Sequence, residues 1–152
     1  MIGIFRRREL SGRGETNLAL WRVTDPGNVG TLVRSADAFG AGVMLSEGCA
    51  DPFGPKALRA AMGSTFRVPF AAFELPAGSV AFVAHGGTQL AEIDLERHPT
   101  FVLGSEREGL PGDVLAQCEL RATIPIRSES LNVAMAGTIL LYERSTRSRH
   151  RR

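Results

Sequence analysis

Three polar segments of this chain carry residue types that could bind a ligand and act on it. The first runs from Asp25 to Gly30 and leads to Arg34, the second runs from Leu103 to Leu110, and the third runs from Ile124 to Ala134. Each is associated with an apolar run typical of a buried strand. In open α/β sheets, ligands bind outside the carboxyl ends of the strands. The three segments therefore predict one site assembled from three loops.

The first segment offers an amide and a guanidinium. Pro26 and Gly27 turn the chain, and Asn28 places an amide at the end of the sheet. Gly30 permits the close approach of another backbone. Arg34 falls in the first turns of the following helix, where free N–H groups and the helix dipole favour a phosphate. The alternative is an ordinary turn followed by a solvated arginine.

The second segment presents a carboxylate on a glycine-bearing loop. Gly104 and Gly109 bracket Glu106 directly after an apolar strand. Such a backbone can wrap the edge of a flat ligand, although Glu106 alone is also a typical cap or ion-pair partner. The chain has no Gly-x-Gly-x-x-Gly fingerprint and no Gly-Lys-Ser/Thr phosphate loop. A flavodoxin-like or dinucleotide-binding enzyme is therefore the weaker interpretation.

The third segment contains two residues of the types that cap helices. Ser130 and Asn132 are both strong N-cap types, and helix capping accounts for one of them. A second polar residue, placed before the small residues Ala134, Ala136 and Gly137, indicates a further role.

The elements that position these loops alternate between strands and helices. Short apolar runs predict strands over residues 18–23, 80–84, 101–103 and 120–126. Helical spacing predicts helices over residues 29–39, 55–62, 111–118 and 131–144. This alternation predicts an α/β fold, with a mostly parallel sheet and flanking helices.

Length and composition favour one globular domain. The chain has 152 residues, of which 43% are hydrophobic, enough for one substantial core. We expect residues 17–144 to form it, with residues 1–16 as a loose arm or the stub of a removed domain and residues 145–152 as a basic tail. No apolar stretch approaches the roughly 18 to 20 residues that span a bilayer, and the first residues lack a secretion signal. The sequence therefore predicts a cytoplasmic protein without a membrane partner.

Cysteine usage does not indicate a metal site or a disulfide framework. Cys49 and Cys118 are the only cysteines, and neither has metal-ligand spacing with a histidine. We expect two buried thiols and no metal.

Charge is distributed unevenly along the chain. The net charge is +2, but nine of the 18 cations lie before residue 14 or after residue 143. Between those bounds, nine cations face 15 acids, which leaves the body at about −6. A polyanion must therefore meet the termini or a local basic cluster.

The three segments together resemble the three motifs of the SpoU-type RNA ribose 2′-O-methyltransferases, within the SPOUT class. The matches are Asn28-x-Gly30-x-x-x-Arg34, then Leu103-Gly104-x-Glu106-x-x-Gly109-Leu110, then Ile124-Pro125 followed by Ser130-Leu131-Asn132-Val133-Ala134. They occur in the family's order and span Leu18 to Glu143. In two departures, Ile126 replaces the usual methionine, and residues 127–129 form a shorter bridge to Ser130.

The resemblance implies a fold, a cofactor and partners. The fold is an α/β sheet whose C-terminal part forms a deep trefoil knot, and the partners are RNA (tRNA or rRNA) and a second copy in a homodimer. The implied cofactor is S-adenosylmethionine, with no metal. The residues implied to bind it are Leu103, Gly104, Gly109, Ile124, Ile126, Ser130, Leu131 and Asn132.

The resemblance also implies catalytic positions, which are Asn28, Arg34, Glu106, Ser130 and Asn132. A guanidinium stays charged and is a poor base. Our hypothesis is that Arg34 clamps an RNA phosphate while Glu106 or a phosphate oxygen receives the hydroxyl proton. The main rival is a non-catalytic RNA-binding or assembly module that keeps the fold.

Overall fold

The computed structural model describes residues 12–150, and the side chains of residues 12–148. Residues 1–11 of the predicted arm and Arg151 and Arg152 lie outside this range. The strands are β1 (Asn17–Leu20), β2 (Gly42–Leu45), β3 (Phe70–Ala72), β4 (Val80–Phe82), β5 (Thr88–Gln89), β6 (Thr100–Leu103) and β7 (Leu120–Thr123). The helices are α1 (Pro26–Phe39), α2 (Pro55–Ala61), α3 (Gly112–Gln117) and α4 (Val133–His150), with 3₁₀ turns at Ser64–Phe66, Leu90–Glu92 and Leu95–Arg97.

The strands form one seven-stranded sheet in the order β3-β2-β1-β6-β4-β7-β5. All of its described pairings are parallel, which confirms the predicted α/β fold. Leu20 at the end of β1 is in register with Leu103 at the end of β6. The loops after these two strands therefore leave the sheet side by side, and the loop after β7 leaves the same edge. The deep trefoil knot stays a prediction.

The two faces of the sheet are covered by different helices. Leu18, Leu20, Phe101 and Leu103 belong to the larger apolar cluster, which also contains buried residues of α1 and of the first half of α4. The alternate residues of the same strands, such as Val102, pack in a smaller cluster with Leu110 and with Val114 of α3. This alternation follows from the two-residue period of a strand.

Helix α1 ends at Phe39 as predicted but begins at Pro26, three residues before the predicted start, so Asn28 lies in its first turns and not in a loop. Asp25 caps its first turn and Pro26 occupies the first helical position. Gly40 ends the helix with φ of +69°, a left-handed conformation that favours glycine. A Cβ on Gly30 would lie 2.3 Å from the carbonyl oxygen of Ala57. The close approach predicted at Gly30 is therefore to helix α2.

Helix α4 crosses α1 at another glycine. A Cβ on Gly137 would lie 2.4 Å from Leu32, and the hydroxyls of Ser35 and Thr138 are 2.7 Å apart. The helix was predicted to end at Arg144 but continues to His150, through most of the predicted tail. Arg147 donates to the carbonyl oxygen of Ile93 at 3.0 Å. The first part of the basic C-terminal run is thus bound to the body of the domain.

Two smaller predictions concern the cysteines and the membrane. Cys49 and Cys118 are both free thiols. The prediction was that both are buried, whereas both are half-buried. Burial raises the pKa of the Cys118 thiol, which disfavours the reactive thiolate form. Across residues 12–150, no helix has the length and apolar character needed to cross a membrane.

Candidate active site

The side chain of Asn28 joins the three predicted loops. Its Nδ2 donates to Glu106 Oε1 at 2.9 Å, and its Oδ1 accepts from Asn132 Nδ2 at 3.1 Å. Glu106 Oε1 also accepts from the N–H of Asp25 at 3.4 Å. One residue from each loop therefore meets at the carboxyl edge of the sheet.

The start of α1 fixes the position of Asn28. Its backbone N–H donates to Asp25 Oδ1 at 2.9 Å, while Asp25 Oδ2 accepts from Lys56 Nζ at 3.1 Å. The hydrogen bond from Asn28, followed by the one from Lys56, lowers the pKa of Asp25 below its ordinary value. Asp25 therefore stays ionised at neutral pH and holds the helix end that carries Asn28.

The second loop closes tightly and presents Glu106. Ser105 and Gly109 exchange backbone hydrogen bonds of 3.2 and 3.1 Å. A Cβ on Gly104 would lie 2.3 Å from the carbonyl carbon of Gly109, and Gly109 has φ of +67°. These two glycines are therefore required by the geometry of the loop. Glu106 projects from it into solvent, with Oε2 making no hydrogen bond within the described residues.

In the third loop, only one of the two candidate caps acts as a cap. Asn132 Oδ1 accepts from the N–H groups of Ala134 and Met135 at 2.9 and 3.2 Å, at the start of α4. Its Nδ2 is thereby turned toward Asn28. Ser130 is exposed and its hydroxyl makes no hydrogen bond within the described residues, although its carbonyl accepts from Ser128. The Ser130 hydroxyl is therefore available to a ligand.

A cavity of about 470 Å³ lies between the second and third loops. Its lining includes Glu106, Phe82 and Ala136. The lining also includes every residue predicted to bind a cofactor: Leu103, Gly104, Gly109, Ile124, Ile126, Ser130, Leu131 and Asn132. Their role as ligands stays a prediction.

The cavity wall combines apolar side chains with backbone groups that lack partners. The backbone N–H and C=O groups of Ile124, Ile126 and Leu131 make no hydrogen bond within the described residues. Backbone groups of this kind must bond to water or to a ligand. Apolar walls with a few polar groups are typical of sites for small organic ligands.

Among the predicted site residues, Arg34 neither lines this cavity nor, unlike Asn28, hydrogen-bonds to a residue that lines it. It is exposed on α1 and makes no hydrogen bond or ion pair within the described residues. It lies six residues after Asn28 on α1, which is about 9 Å along the helix axis. Any action of Arg34 on a ligand in this cavity therefore needs a large substrate or another subunit.

Two further residues at the edge of the site, Asp25 and Lys56, are not among the predicted site residues. Asp25 was assigned only to a turn, yet its N–H bonds to Glu106. Lys56 comes from α2 and pairs with Asp25. A capping residue before Pro-Gly was the available signal for Asp25, whereas no local pattern links Lys56 to the loop. Within the described residues, no group of three or more His, Cys, Asp or Glu side chains is arranged to hold a metal ion.

Known proteins similar in sequence to this chain fall in one family. Residues 15–142 match the model of the SpoU rRNA Methylase family. The chain is 37% identical over 133 residues to a 23S rRNA guanosine 2′-O-methyltransferase of Bacillus subtilis (strain 168), which covers 79% of this chain and 54% of the relative. The chain thus spans about half the length of this curated relative.

Solved structures share the fold over nearly all of this chain. An rRNA methyltransferase from Sinorhizobium meliloti, solved with AdoMet bound, has a TM-score of 0.82 and 37% identity, covering 90% of this chain and 57% of that chain. A structure described for 2-OH methylation of C/U34 on tRNA has a TM-score of 0.81 and 28% identity. In that case the match covers 93% of this chain and 100% of the other.

Proposed function

Because the chain belongs to the SpoU rRNA methylase family, we propose that it transfers a methyl group from S-adenosylmethionine to a ribose 2′-hydroxyl of RNA. Residues 17–144 form the proposed catalytic unit. The observation that carries the proposal is the hydrogen-bonded set of Asn28, Glu106 and Asn132 at the mouth of the cavity. The Bacillus subtilis relative is named for 23S rRNA, so ribosomal RNA is the first substrate to test, and transfer RNA is the second.

The cavity fits the proposed cofactor. Its volume of about 470 Å³ lies within the roughly 300 to 1,000 Å³ typical of small-molecule sites. The unpartnered backbone groups of Ile124, Ile126 and Leu131 suit the polar edge of an adenine ring. Glu106 brings negative charge to the rim, which favours a cationic ligand. When bound, S-adenosylmethionine supplies an electrophilic methyl group on a sulfonium.

The residues of this chain would position the hydroxyl and receive its proton. Alignment of reacting groups can contribute roughly 7 to 11 kcal/mol to lowering a barrier. Asn28 and the N–H of Asp25 occupy Glu106 Oε1, which fixes the carboxylate and leaves Oε2 as the proposed proton acceptor. An RNA phosphate oxygen is the alternative acceptor. Arg34 stays charged and is proposed to hold an RNA phosphate.

A homodimer would complete the site. Met135, Ile139 and Tyr142 are 59%, 37% and 56% exposed, and their spacing of four and three residues puts them on one side of α4. An exposed apolar stripe beside a site is typical of a subunit interface. We propose that a second copy covers it and that Arg34 serves the site of the other copy. We also propose a cytoplasmic location, where RNA and the cofactor are available.

The proposed activity is tested with purified protein and radiolabelled S-adenosylmethionine. Calorimetry should detect cofactor binding, and tritium should pass to ribosomal RNA at a position where the 2′-O-methyl group blocks alkaline cleavage. Cofactor binding without transfer to any ribosomal or transfer RNA would favour the non-catalytic module. Arg34→Ala should lose single-turnover methylation at saturating RNA, and full retention would remove Arg34 from the proposal.

Shared sites are tested by mixing two inactive variants. Co-expressed Arg34→Ala and Asn132→Ala chains should form a heterodimer with one intact site and regain part of the activity. No recovery in a heterodimer verified by mass spectrometry would mean that Arg34 acts within its own chain. A monomer by sedimentation at micromolar concentration would contradict the homodimer.

A further inference from the structure

A basic and apolar strip runs along α2 and the 3₁₀ turn after it. We name it the α2 strip, and it consists of Lys56, Arg59, Met62 and Phe66, all exposed. Lys56 and Arg59 are neighbours one turn apart on α2, Met62 is the C-cap of that helix, and Phe66 ends the 3₁₀ turn that follows. Met62 is 68% exposed and Phe66 is 44% exposed. Two cations are therefore followed along this segment by two exposed, large apolar side chains.

The strip is locally basic on a body that is acidic overall. From Pro52 to Phe73 the chain has three cations and no acid. Lys56 is paired with Asp25 across 3.1 Å. Arg59, in contrast, makes no ion pair or hydrogen bond within the described residues. Because the body of the protein is acidic overall, a polyanion needs a local basic cluster to bind, and the α2 strip provides one.

Arg34 lies on the same surface. Positions 27, 30, 34 and 37 form one side of α1, and three of them contact α2 or the segment after it. A Cβ on Gly27 would lie 3.8 Å from Lys56 Cε and one on Gly30 would touch Ala57, while Asp37 pairs with Arg67 at 2.6 Å. Arg34, between Gly30 and Asp37, is therefore directed toward the α2 strip.

The strip begins at the candidate active site. Lys56 bonds Asp25, and the N–H of Asp25 donates to Glu106. From there the exposed residues lead away from the cavity along α2. An RNA chain with one ribose at Glu106 could continue across this surface without leaving the protein.

The backbone conformation of Met62 also favours a binding role for the α2 strip. Met62 ends α2 with φ of +50°, a left-handed conformation that favours glycine. Gly63 follows with φ of +87°. An exposed, flexible thioether therefore occupies a left-handed position at which glycine is the usual residue. Strained conformations of this type occur preferentially at binding sites.

We propose that the α2 strip binds the RNA segment next to the methylated nucleotide. Arg59 binds a phosphate, since a guanidinium forms paired hydrogen bonds with phosphate oxygens. Met62 and Phe66 contact an unpaired base, because single-stranded RNA is recognised largely by stacking on apolar and aromatic side chains. This inference rests on the proposed function, as it names the surface that holds the substrate.

The proposal is tested with variants outside the catalytic residues. Binding of a fluorescent single-stranded oligoribonucleotide is measured by anisotropy over a range of salt concentrations. Arg59→Ala should weaken binding and reduce the slope of log K against log salt by about 0.7, the value for one phosphate contact on a single strand. Phe66→Ala should weaken binding on the order of tenfold, and Phe66→Tyr should restore it. The matched control, Arg97→Ala, removes an exposed arginine of the 3₁₀ turn before β6, which lies at the amino-terminal ends of the strands.

Three outcomes of these measurements decide whether the α2 strip binds RNA. Weakened RNA binding by Arg59→Ala and Phe66→Ala, with unchanged cofactor affinity by calorimetry and no effect of Arg97→Ala, supports the strip. Unchanged RNA binding in Arg59→Ala, which is exposed and should fold normally, overturns it. Conversion of dimer to monomer by these variants, with the intrinsic RNA affinity unchanged, also overturns it and makes the strip a protein interface. Absence of methyl transfer by the unmodified protein bears only on the proposed function, because RNA affinity is measured separately.

Discussion

Asn28 joins the three loops through its hydrogen bonds to Glu106 and Asn132, which we call the Asn28 bridge. Replacing Asn28 by Asp tests whether this bridge shapes the site. The substitution keeps the shape of the side chain but turns the Nδ2 donor into an oxygen. That oxygen would face Glu106 Oε1 across 2.9 Å. Two unit charges at that distance repel by about 1.4 kcal/mol in bulk water and by about 6 kcal/mol at an effective dielectric constant of 20.

The expected loss lies between these limits, because the two side chains can rotate apart at a partly exposed site. We expect about 2 to 3 kcal/mol, which corresponds to roughly 30- to 150-fold weaker binding of S-adenosylmethionine. The loss reaches the cofactor because Glu106 and Asn132 both line the cavity while Asn28 holds them together. The measurement is isothermal calorimetry of the variant and the unmodified protein.

The defect should depend on pH in a defined direction. In the Asn28→Asp variant, each of the two neighbouring carboxylates raises the pKa of the other, since a like charge disfavours ionisation. A proton taken up by the pair removes the repulsion and restores an O–H donor between the two side chains. The ratio of variant to unmodified affinity should therefore recover as pH falls from about 8 to about 5. Asn28→Ala lacks the second carboxylate and should show a smaller defect that does not recover.

A second substitution separates positioning from proton transfer. Glu106→Gln in the Asn28→Asp background exchanges donor and acceptor, so the hydrogen bond between positions 28 and 106 can form again, while the longer bond from the N–H of Asp25 is lost. Cofactor affinity should return. Turnover should not return if Glu106 receives the hydroxyl proton, whereas recovery of turnover would assign the proton to an RNA phosphate. Full cofactor affinity of Asn28→Asp at pH 8 would refute the reasoning about the bridge.

Three further substitutions test the loops and the helix contact. Gly104→Ala would place a methyl group 2.3 Å from backbone, so it should open the second loop and lower cofactor affinity at least tenfold, about 1.4 kcal/mol, in calorimetry. Gly112→Ala, with nothing within 4 Å, is its silent control. Asn132→Ala removes the α4 cap and should cost about 1 kcal/mol of stability in addition to cofactor affinity, whereas Ser130→Ala should leave the melting temperature unchanged. Gly30→Ala should separate α1 from α2 and lower Tm by about 2 to 4 °C for each kcal/mol lost, and an unchanged calorimetric Tm would contradict the close contact.

The sequence predicted the central strands well because they are buried on both faces. Strands β1 and β6 consist of residues that are all buried, and continuous burial requires the continuous apolar runs that signal such strands. Strand β5, in contrast, has two exposed residues, Thr88 and Gln89, and exists only through its pairing with β7. Strand β2 begins at Gly42, and its short apolar run has no feature that separates it from the end of a helix. Whether such segments form strands depends on pairing partners elsewhere in the chain, which no local pattern encodes.

The site shows the same limit at the level of single side chains. Asn132 satisfies a helix start with Oδ1, which accounts for its residue type without any reference to function. Only the tertiary fold turns its Nδ2 toward Asn28 and thereby couples a local cap to a distant loop. The spacing within one loop could predict that these residues were special, but the order of contacts between loops depends on the sheet. Arg34 shows the converse, since its motif spacing suggested a place beside Asn28 and the helix carries it to another surface.

The bridge also explains why three weakly specific loops can form a specific site. Asn132 uses Oδ1 for the α4 cap, so only its amide hydrogens remain for Asn28. Asn28 Oδ1 accepts that bond, which orients Nδ2 toward Glu106. Each hydrogen bond in this series determines the donor and acceptor direction of the next one. Glu106 is thereby fixed with one oxygen occupied and the other directed to solvent before any substrate arrives. Such preorganisation is what a site needs in order to receive a proton without first rearranging.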